Sequence, residues 1–267
     1  MSWGDVFDHY QSLLPEESLV QTQYRTFVSA ECFTIAGLRI REIPICENGE
    51  KLVDLRQVGS KRIQMMPDPQ RPFEHPNCNS GLPNGSKLRR GIFAKLEKVV
   101  EYLDALAPNF GYKPGQISIR VFEGLRDLGT QQMLFEQKLQ EIQLARPEFS
   151  LVMAEQETSK WVAPCKNNVP SHSTGAAVDI RLWDEGKGDF LDMGPFGVIW
   201  GANPNAPTYS EAISEEQKRN RLLCQIAAER AGLTNYLYEF WHFSSQDRYA
   251  AYWTKTGEKK ALYGSIQ

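Results

Sequence analysis

The sequence predicts an α+β fold: a central, mainly antiparallel sheet flanked by helices. Apolar residues recur with the helical period in some stretches and with the strand period in others. The two kinds of stretch follow one another without a strict strand–helix–strand rhythm, which argues against a fully parallel sheet. Polar and titratable residues also sit inside two apolar strand candidates about 60 residues apart, so both are expected in one sheet around one site. No internal repeat appears.

Taken in order, residues 1–15 read as a short amphipathic helix with Val6, Phe7, Tyr10, Leu13 and Leu14 on one side. TQYRTFVSAECFTIAGLRIREIPI at 22–45 holds two apolar runs broken at Ala36 and Gly37, and reads as a strand hairpin. Residues 57–87 are rich in Pro, Gly, Asn and Ser and read as a long irregular loop. Ser86 is placed to cap a helix over 87–107, whose stripe is Ile92, Leu96, Val99, Val100, Leu103 and Leu106. ISIRVF at 117–122 alternates as a strand, and 130–145 reads as a second long helix closed by Pro147. A polar loop at 167–174 leads into a strand at 176–183, followed by a Gly/Pro-rich loop at 184–210. Ser214, with Gln217 in its first turn, caps a helix through Arg230 that Gly232 ends. TNYLYEFWHF is an aromatic strand, and the polar tail after Trp253 is expected at the periphery. One domain is expected overall, with residues 1–50 as an extension packed on a core formed by 51–267.

A net charge of -3 gives no ground for a nucleic-acid or membrane-surface partner, and no apolar run approaches the ~20 residues of a membrane span. Five scattered cysteines without a CxxC pair argue against a disulfide framework or a thiolate zinc ribbon. With an acidic, polar N-terminus, they lead us to expect a cytoplasmic protein.

Only four histidines are present, so few metal sites can be assembled. His172 stands in the small polar turn PSHSTG, and Asp179 follows seven positions later among Val178, Ile180 and Leu182. Glu239 and His242 stand three apart among Tyr, Phe and Trp. A catalytic zinc centre uses three protein ligands and leaves the fourth position to water, and a further carboxylate can take that water's proton. In a regular strand, positions three apart face opposite ways, so Glu239 and His242 can share a site only if the strand bulges or ends near Trp241. Plainer readings stand beside this one: a surface-loop His172, an Asp179 paired with Arg181, and a half-buried Glu239 and His242 on an edge strand. Arg126, at the end of EGLR, is placed to stabilise an oxyanion; the plainer reading pairs it with Glu123 or Asp127. His75 and Cys78 in HPNC have ligand spacing but no second pair nearby, which favours a plain loop over a metal role.

SHSTGAAVD resembles the S-x-H-x-x-G-x-x-x-D signature of the zinc D-alanyl-D-alanine dipeptidases, the VanX type, which are related to the VanY carboxypeptidases. YEFWHF resembles their E-x-W-H element. Weaker matches follow in order: LVDLR at 52–56, FEGLR at 122–126 against D-G-Y-R-P, and LDMGPF at 191–196 against D-M-G-x-x-F-D. The resemblance implies that His172, Asp179 and His242 bind one Zn2+, that Glu239 is general base and then acid, and that Arg126 holds the oxyanion. Ser171 and Glu123 are its candidate substrate contacts.

The chain departs from the pattern at three places. Pro170 replaces the first signature Ser, Asp127 replaces the Pro of D-G-Y-R-P, and Gly197 falls where the family keeps the Asp that holds the substrate's ammonium. The expected function is zinc-dependent hydrolysis of a D-Ala-D-Ala-type dipeptide or a similar small peptidoglycan-derived peptide. The lost Asp makes a D,D-carboxypeptidase or endopeptidase the second reading, and a non-catalytic zinc module is the third.

Overall fold

The computed structural model describes residues 1–30, 34–58, 60–66, 84–195, 204–255 and 257–266. Helices α1 (Trp3–His9), α2 (Leu19–Val28) and α3 (Leu38–Arg41) open the chain. Strand β1 (Leu52–Asp54), helix α4 (Leu55–Val58) and strands β2 (Ile63–Met65) and β3 (Lys87–Arg89) lead into α5 (Arg90–Leu106). Then come β4 (Ile117–Glu123), α6 (Leu128–Ala145), α7 (Leu151–Thr158), β5 (Ala177–Asp184) and β6 (Asp189–Phe190). Helix α8 (Glu215–Arg230), strands β7 (Thr234–Tyr236) and β8 (Glu239–Ser244), and α9 (Arg248–Trp253) complete the order.

The main sheet runs β2-β4-β5-β8-β7, with β6 added to β5. Its pairings are antiparallel except β2 with β4, so the sheet is mixed. The exception has a topological cause. Helix α5 lies between β2 and β4 in the chain, and a helix crossover returns the chain parallel to its starting strand. Alternation along β4 and β5 sends Ile117, Ile119 and Val121, and Val178, Ile180 and Leu182, into the core with α5 and α8. Asp179 therefore stands on the opposite face, and a register shift between Val121 and Glu123 brings Glu123 to that face as well. The expected mainly antiparallel α+β fold is what the chain adopts.

Several local expectations differ. Where a hairpin was expected over 22–45, the described residues carry helices α2 and α3 instead. Ser18 caps α2 by accepting from the Gln21 N–H, and Val20, Gln23, Tyr24 and Phe27 fall at helical spacing against the core. Ser86 is buried but does not cap α5. Residues 87–89 pair with β1 first, and Arg89 takes the N-cap position. β2 lies inside the stretch expected to be loop, most of whose remainder (67–83, with His75 and Cys78) lies outside the described residues. Helix α7, capped by Ser150, was not expected at all. The tail is not peripheral: Ala261 and Tyr263 are buried, and Ala261 bridges to Ile45. Ser214 and Gln217 do form a capping box on α8. No helix among the described residues is long and apolar enough to cross a membrane.

The first helix belongs to the main core. Trp3 is fully buried, meets Tyr209 edge-on and donates its indole N–H to the Ser210 carbonyl at 2.9 Å. Truncating so large a buried side chain removes apolar area, leaves a void and orphans a carbonyl. Trp3→Ala should therefore lower unfolding free energy by about 3–5 kcal/mol, in one cooperative urea transition shared by residues 1–50 and the sheet. A loss below ~1 kcal/mol, or a separate early transition, would show that the N-terminal helices are not part of this core.

Candidate metal centre

Two irregularities in strand pairing assemble the site. β4 pairs with β5 as Val121 with Ile180 and then Glu123 with Asp179, so Phe122 is the extra residue of a bulge. β5 pairs with β8 as Asp179 with His242. Glu123, Asp179 and His242 thus form a row across three neighbouring strands, with side chains on one face.

The second irregularity is the larger one. β7 pairs with β8 as Asn235 with Phe243 and then Tyr236 with Glu239, leaving residues 240–242 unmatched. This is the bulge that the three-residue spacing of Glu239 and His242 requires. Asn235 holds it: its amide nitrogen donates to the carbonyls of Glu239 at 3.2 Å, Phe240 at 3.4 Å and His242 at 3.0 Å. Its own oxygen accepts from the Thr208 hydroxyl at 2.6 Å. Sequence reading missed Asn235, although an Asn inside an aromatic strand is unusual enough to be a signal.

His172 arrives from a separate 3-10 turn, His172–Thr174, closed by Gly175 in the left-handed region at φ +69°. Arg89 clamps that turn, donating Nε–H to the Thr174 carbonyl and its backbone N–H to the Gly175 carbonyl. His172 Nδ1 donates to the Gly124 carbonyl at 2.7 Å, which leaves Nε2 with its lone pair facing the site. Gly124 is needed for this approach, because a Cβ there would lie 2.5 Å from the Lys87 carbonyl oxygen and 2.8 Å from Leu88 Cδ2.

Three donor atoms converge. His172 Nε2 and His242 Nδ1 are 3.1 Å apart, and Asp179 Oδ1 lies 3.2 Å from the first and 3.1 Å from the second. All three residues are buried. A tetrahedral ion with N and O ligands at ~2.0–2.1 Å sets those ligands roughly 3.3 Å apart, so the set fits a zinc-sized cation. Glu239 Oε2 stands 3.8 Å from His242 Nδ1, beside the group. Among the described residues this is the one group of three or more such side chains with metal-ligand spacing.

The plainer reading of Arg126 is also realised. Its Nε and Nη2 donate to the two oxygens of Glu123 at 2.7 and 2.6 Å, and Nη1 donates to Gln131 Oε1 at 2.9 Å. Yet Arg126 also lines the cavity over the three donors, together with Ser171 and Glu239. Glu123 is fully buried behind Arg126 and is not on the cavity wall, so it positions the guanidinium rather than meeting a ligand. Gln131, which sequence reading missed, is tied in turn to the Ala163 carbonyl. Gly197 lies outside the described residues.

The electrostatics follow from burial. Burial opposes ionisation of Asp179, but His172 and then His242 outweigh it and hold the carboxyl well below its ordinary range. Burial first, and the charge of Asp179 second, push the Glu239 carboxyl well above its ordinary range. Two carboxyl groups in one site thus differ in proton affinity because one has imidazole partners and the other faces an anion. Burial also works against the Arg126 charge, but Glu123 more than restores it. The cavity itself is small, about 40 Å³, room for roughly three waters.

A mixed α+β sheet with converging imidazole and carboxylate donors on its open face is the framework of a metallopeptidase, and the comparisons agree in class. The family model described as D-ala-D-ala dipeptidase, peptidase family M15, matches residues 113–257. This is more than half of the chain, which therefore belongs to that family and is a peptidase. A D-alanyl-D-alanine dipeptidase of Synechocystis sp. is 27% identical over 250 residues, covering 84% of this chain and 95% of its own. Among solved structures, VanYB in complex with D-alanine-D-alanine aligns with TM-score 0.36 and 17% identity over 64% of this chain and 80% of its own. The LdcB LD-carboxypeptidase aligns with TM-score 0.37 and 16% identity over 76% and 72%.

Removing the Asn235 amide leaves three strand carbonyls without their donor and frees the bulge that sets Glu239 against His242. Asn235→Ala should weaken metal retention about 10–100-fold, measured by competition with a chelator. Unchanged retention would mean that the bulge holds itself.

Proposed function

We propose that the chain is a zinc-dependent peptidase acting on a D-Ala-D-Ala-type dipeptide or a similarly small peptidoglycan-derived peptide. The observation that carries this reading is the convergence of two imidazole nitrogens and one carboxylate oxygen at 3.1–3.2 Å beside a separate carboxylate. His172, Asp179 and His242 would hold the ion, and that donor set suits zinc. Bound there, zinc would supply the Lewis acidity that acidifies a water and polarises a substrate carbonyl.

The remaining chemistry belongs to the side chains. Glu239 accepts the proton of the attacking water and passes it to the departing amine; its high proton affinity supports the second half of that role. Arg126, kept cationic by Glu123, opposes the negative charge that builds on the carbonyl oxygen. After its three hydrogen bonds, a guanidinium with five N–H groups still has two to offer. Ser171, on the cavity wall, offers a hydroxyl near the vacant place of the family's Ser at Pro170. Peptidase chemistry is assigned to residues 51–267, with 1–50 packed on them as an extension. Free thiols at Cys46, Cys165 and Cys224 fit a reducing, cytoplasmic setting.

Glu239→Gln keeps the shape of the site and removes the base. Turnover of D-Ala-D-Ala should fall by about 10³-fold while the variant retains its metal; a metal-replete variant with near-normal turnover would remove Glu239 from the mechanism. A panel of dipeptides and longer stem peptides separates the dipeptidase from the carboxypeptidase reading. Loading should also depend on pH. Burial disfavours a charged His172, but Asp179 outweighs it and raises the imidazole above its ordinary value. A proton must therefore leave before metal binds, so affinity should drop as pH falls through that raised value. Affinity that stays level between about pH 8 and about pH 6 would contradict this.

A further inference from the structure

A second cavity, of about 430 Å³, adjoins the one over the three donors. The two share Ser159, and at three further places consecutive residues line one and then the other: Ile35 and Ala36, Gln131 and Gln132, Ala163 and Pro164. The larger cavity therefore opens directly beside the site. Its size is that of an ordinary ligand pocket, whereas the smaller one holds a few waters.

Its chemistry is distinctive. Phe135, Val152 and Pro164 supply apolar wall. Arg41, from the end of α3, and Lys166 supply positive charge, while Glu155 is the one carboxylate among its lining residues. Arg41 Nε is buried, and it has no hydrogen-bond partner among the described residues. Neither the Arg41 nor the Lys166 side chain pairs with a carboxylate among the described residues. Among the described residues, the half-buried Arg41 guanidinium beside this cavity has no anion in the bidentate position its geometry favours.

We propose that this cavity is a subsite for a peptide carrying a carboxylate next to the hydrolysed unit, with Arg41 and Lys166 as the residues that select it. The proposal rests on the peptidase reading and extends its substrate class from a bare dipeptide to an acidic peptide one residue longer. The apolar wall takes the aliphatic part of that residue, and Arg41 takes its carboxylate.

Matched peptides test it on the full-length, metal-loaded protein: Glu-D-Ala-D-Ala against Gln-D-Ala-D-Ala, and D-Ala-D-Ala-Glu against D-Ala-D-Ala-Gln. In one pair the wild type should favour the acid about tenfold in kcat/KM, the size of a charge-assisted hydrogen bond. In the Arg41→Gln/Lys166→Gln double variant that ratio should collapse towards one. No acid preference in either wild-type pair, or a preference that survives the double variant, overturns the proposal while leaving the peptidase reading intact. If the double variant fails to fold, Lys166→Gln alone, on an exposed side chain, must still reduce the preference. If no peptide is cleaved, the peptidase reading fails first; equilibrium dialysis of the same pairs then decides the subsite, because the acid must bind more tightly than the amide and lose that advantage in the double variant.

Discussion

One carboxylate oxygen, Asp179 Oδ1, holds the centre together. It touches both imidazoles at 3.1–3.2 Å from a buried position in the middle of the sheet. Such a group is costly to desolvate unless it is paired or bound to a cation. The fold meets that cost through register. Asp179 faces His242 on one side and Glu123 on the other, and Glu123 brings Arg126 with it. The result is two acids side by side on neighbouring strands, each with its own basic partners: Glu123 with Arg126, and Asp179 with His172 and His242.

The same row explains how one site keeps two acids in different states. Asp179 has two imidazole partners and stays ionised, whereas Glu239 lies near that negative charge, which Arg126 offsets only in part. Of the two carboxyls, the one with the higher proton affinity is the one suited to donate a proton. The scaffold beneath is ordinary core: the back of β4 and β5 packs on α5 and α8, so the open face can carry charge without loosening the sheet.

Much of this was legible in the sequence, for identifiable reasons. Asp179, Glu239 and His242 stood out because polar groups inside aromatic and β-branched runs conflict with burial unless they share a purpose, and His172 because it is one of only four histidines and stands in a polar turn seven positions before Asp179. Arg126 was ambiguous, and both of its readings hold: it is paired with Glu123 and it faces the cavity. The helices at 19–28 and 38–41 were misread because their apolar residues are dense and partly β-branched, so short-range composition resembled strand. Packing of α2 against Tyr209 and α8, and of α3 against α9, decided otherwise. Asn235 and Gln131 were missed because their work is done on backbone carbonyls and on another side chain, which leaves no pattern of spacing.

The sequence by itself determined the donor chemistry, the order of the sheet's central strands' motifs and the helix caps at Ser214 and Gly232, because these depend on residue type and local spacing. Only the tertiary structure decided that Glu239 and His242 share a face, that Glu123 lies behind Arg126, and that α5 makes one strand pair parallel. Those outcomes depend on register shifts at Phe122 and at 240–242, and a shift of one residue turns a side chain to the other face of a sheet. Register is set by the partner strand, so the chain's own letters could require the bulge near Trp241 but could not show that Asn235 holds it.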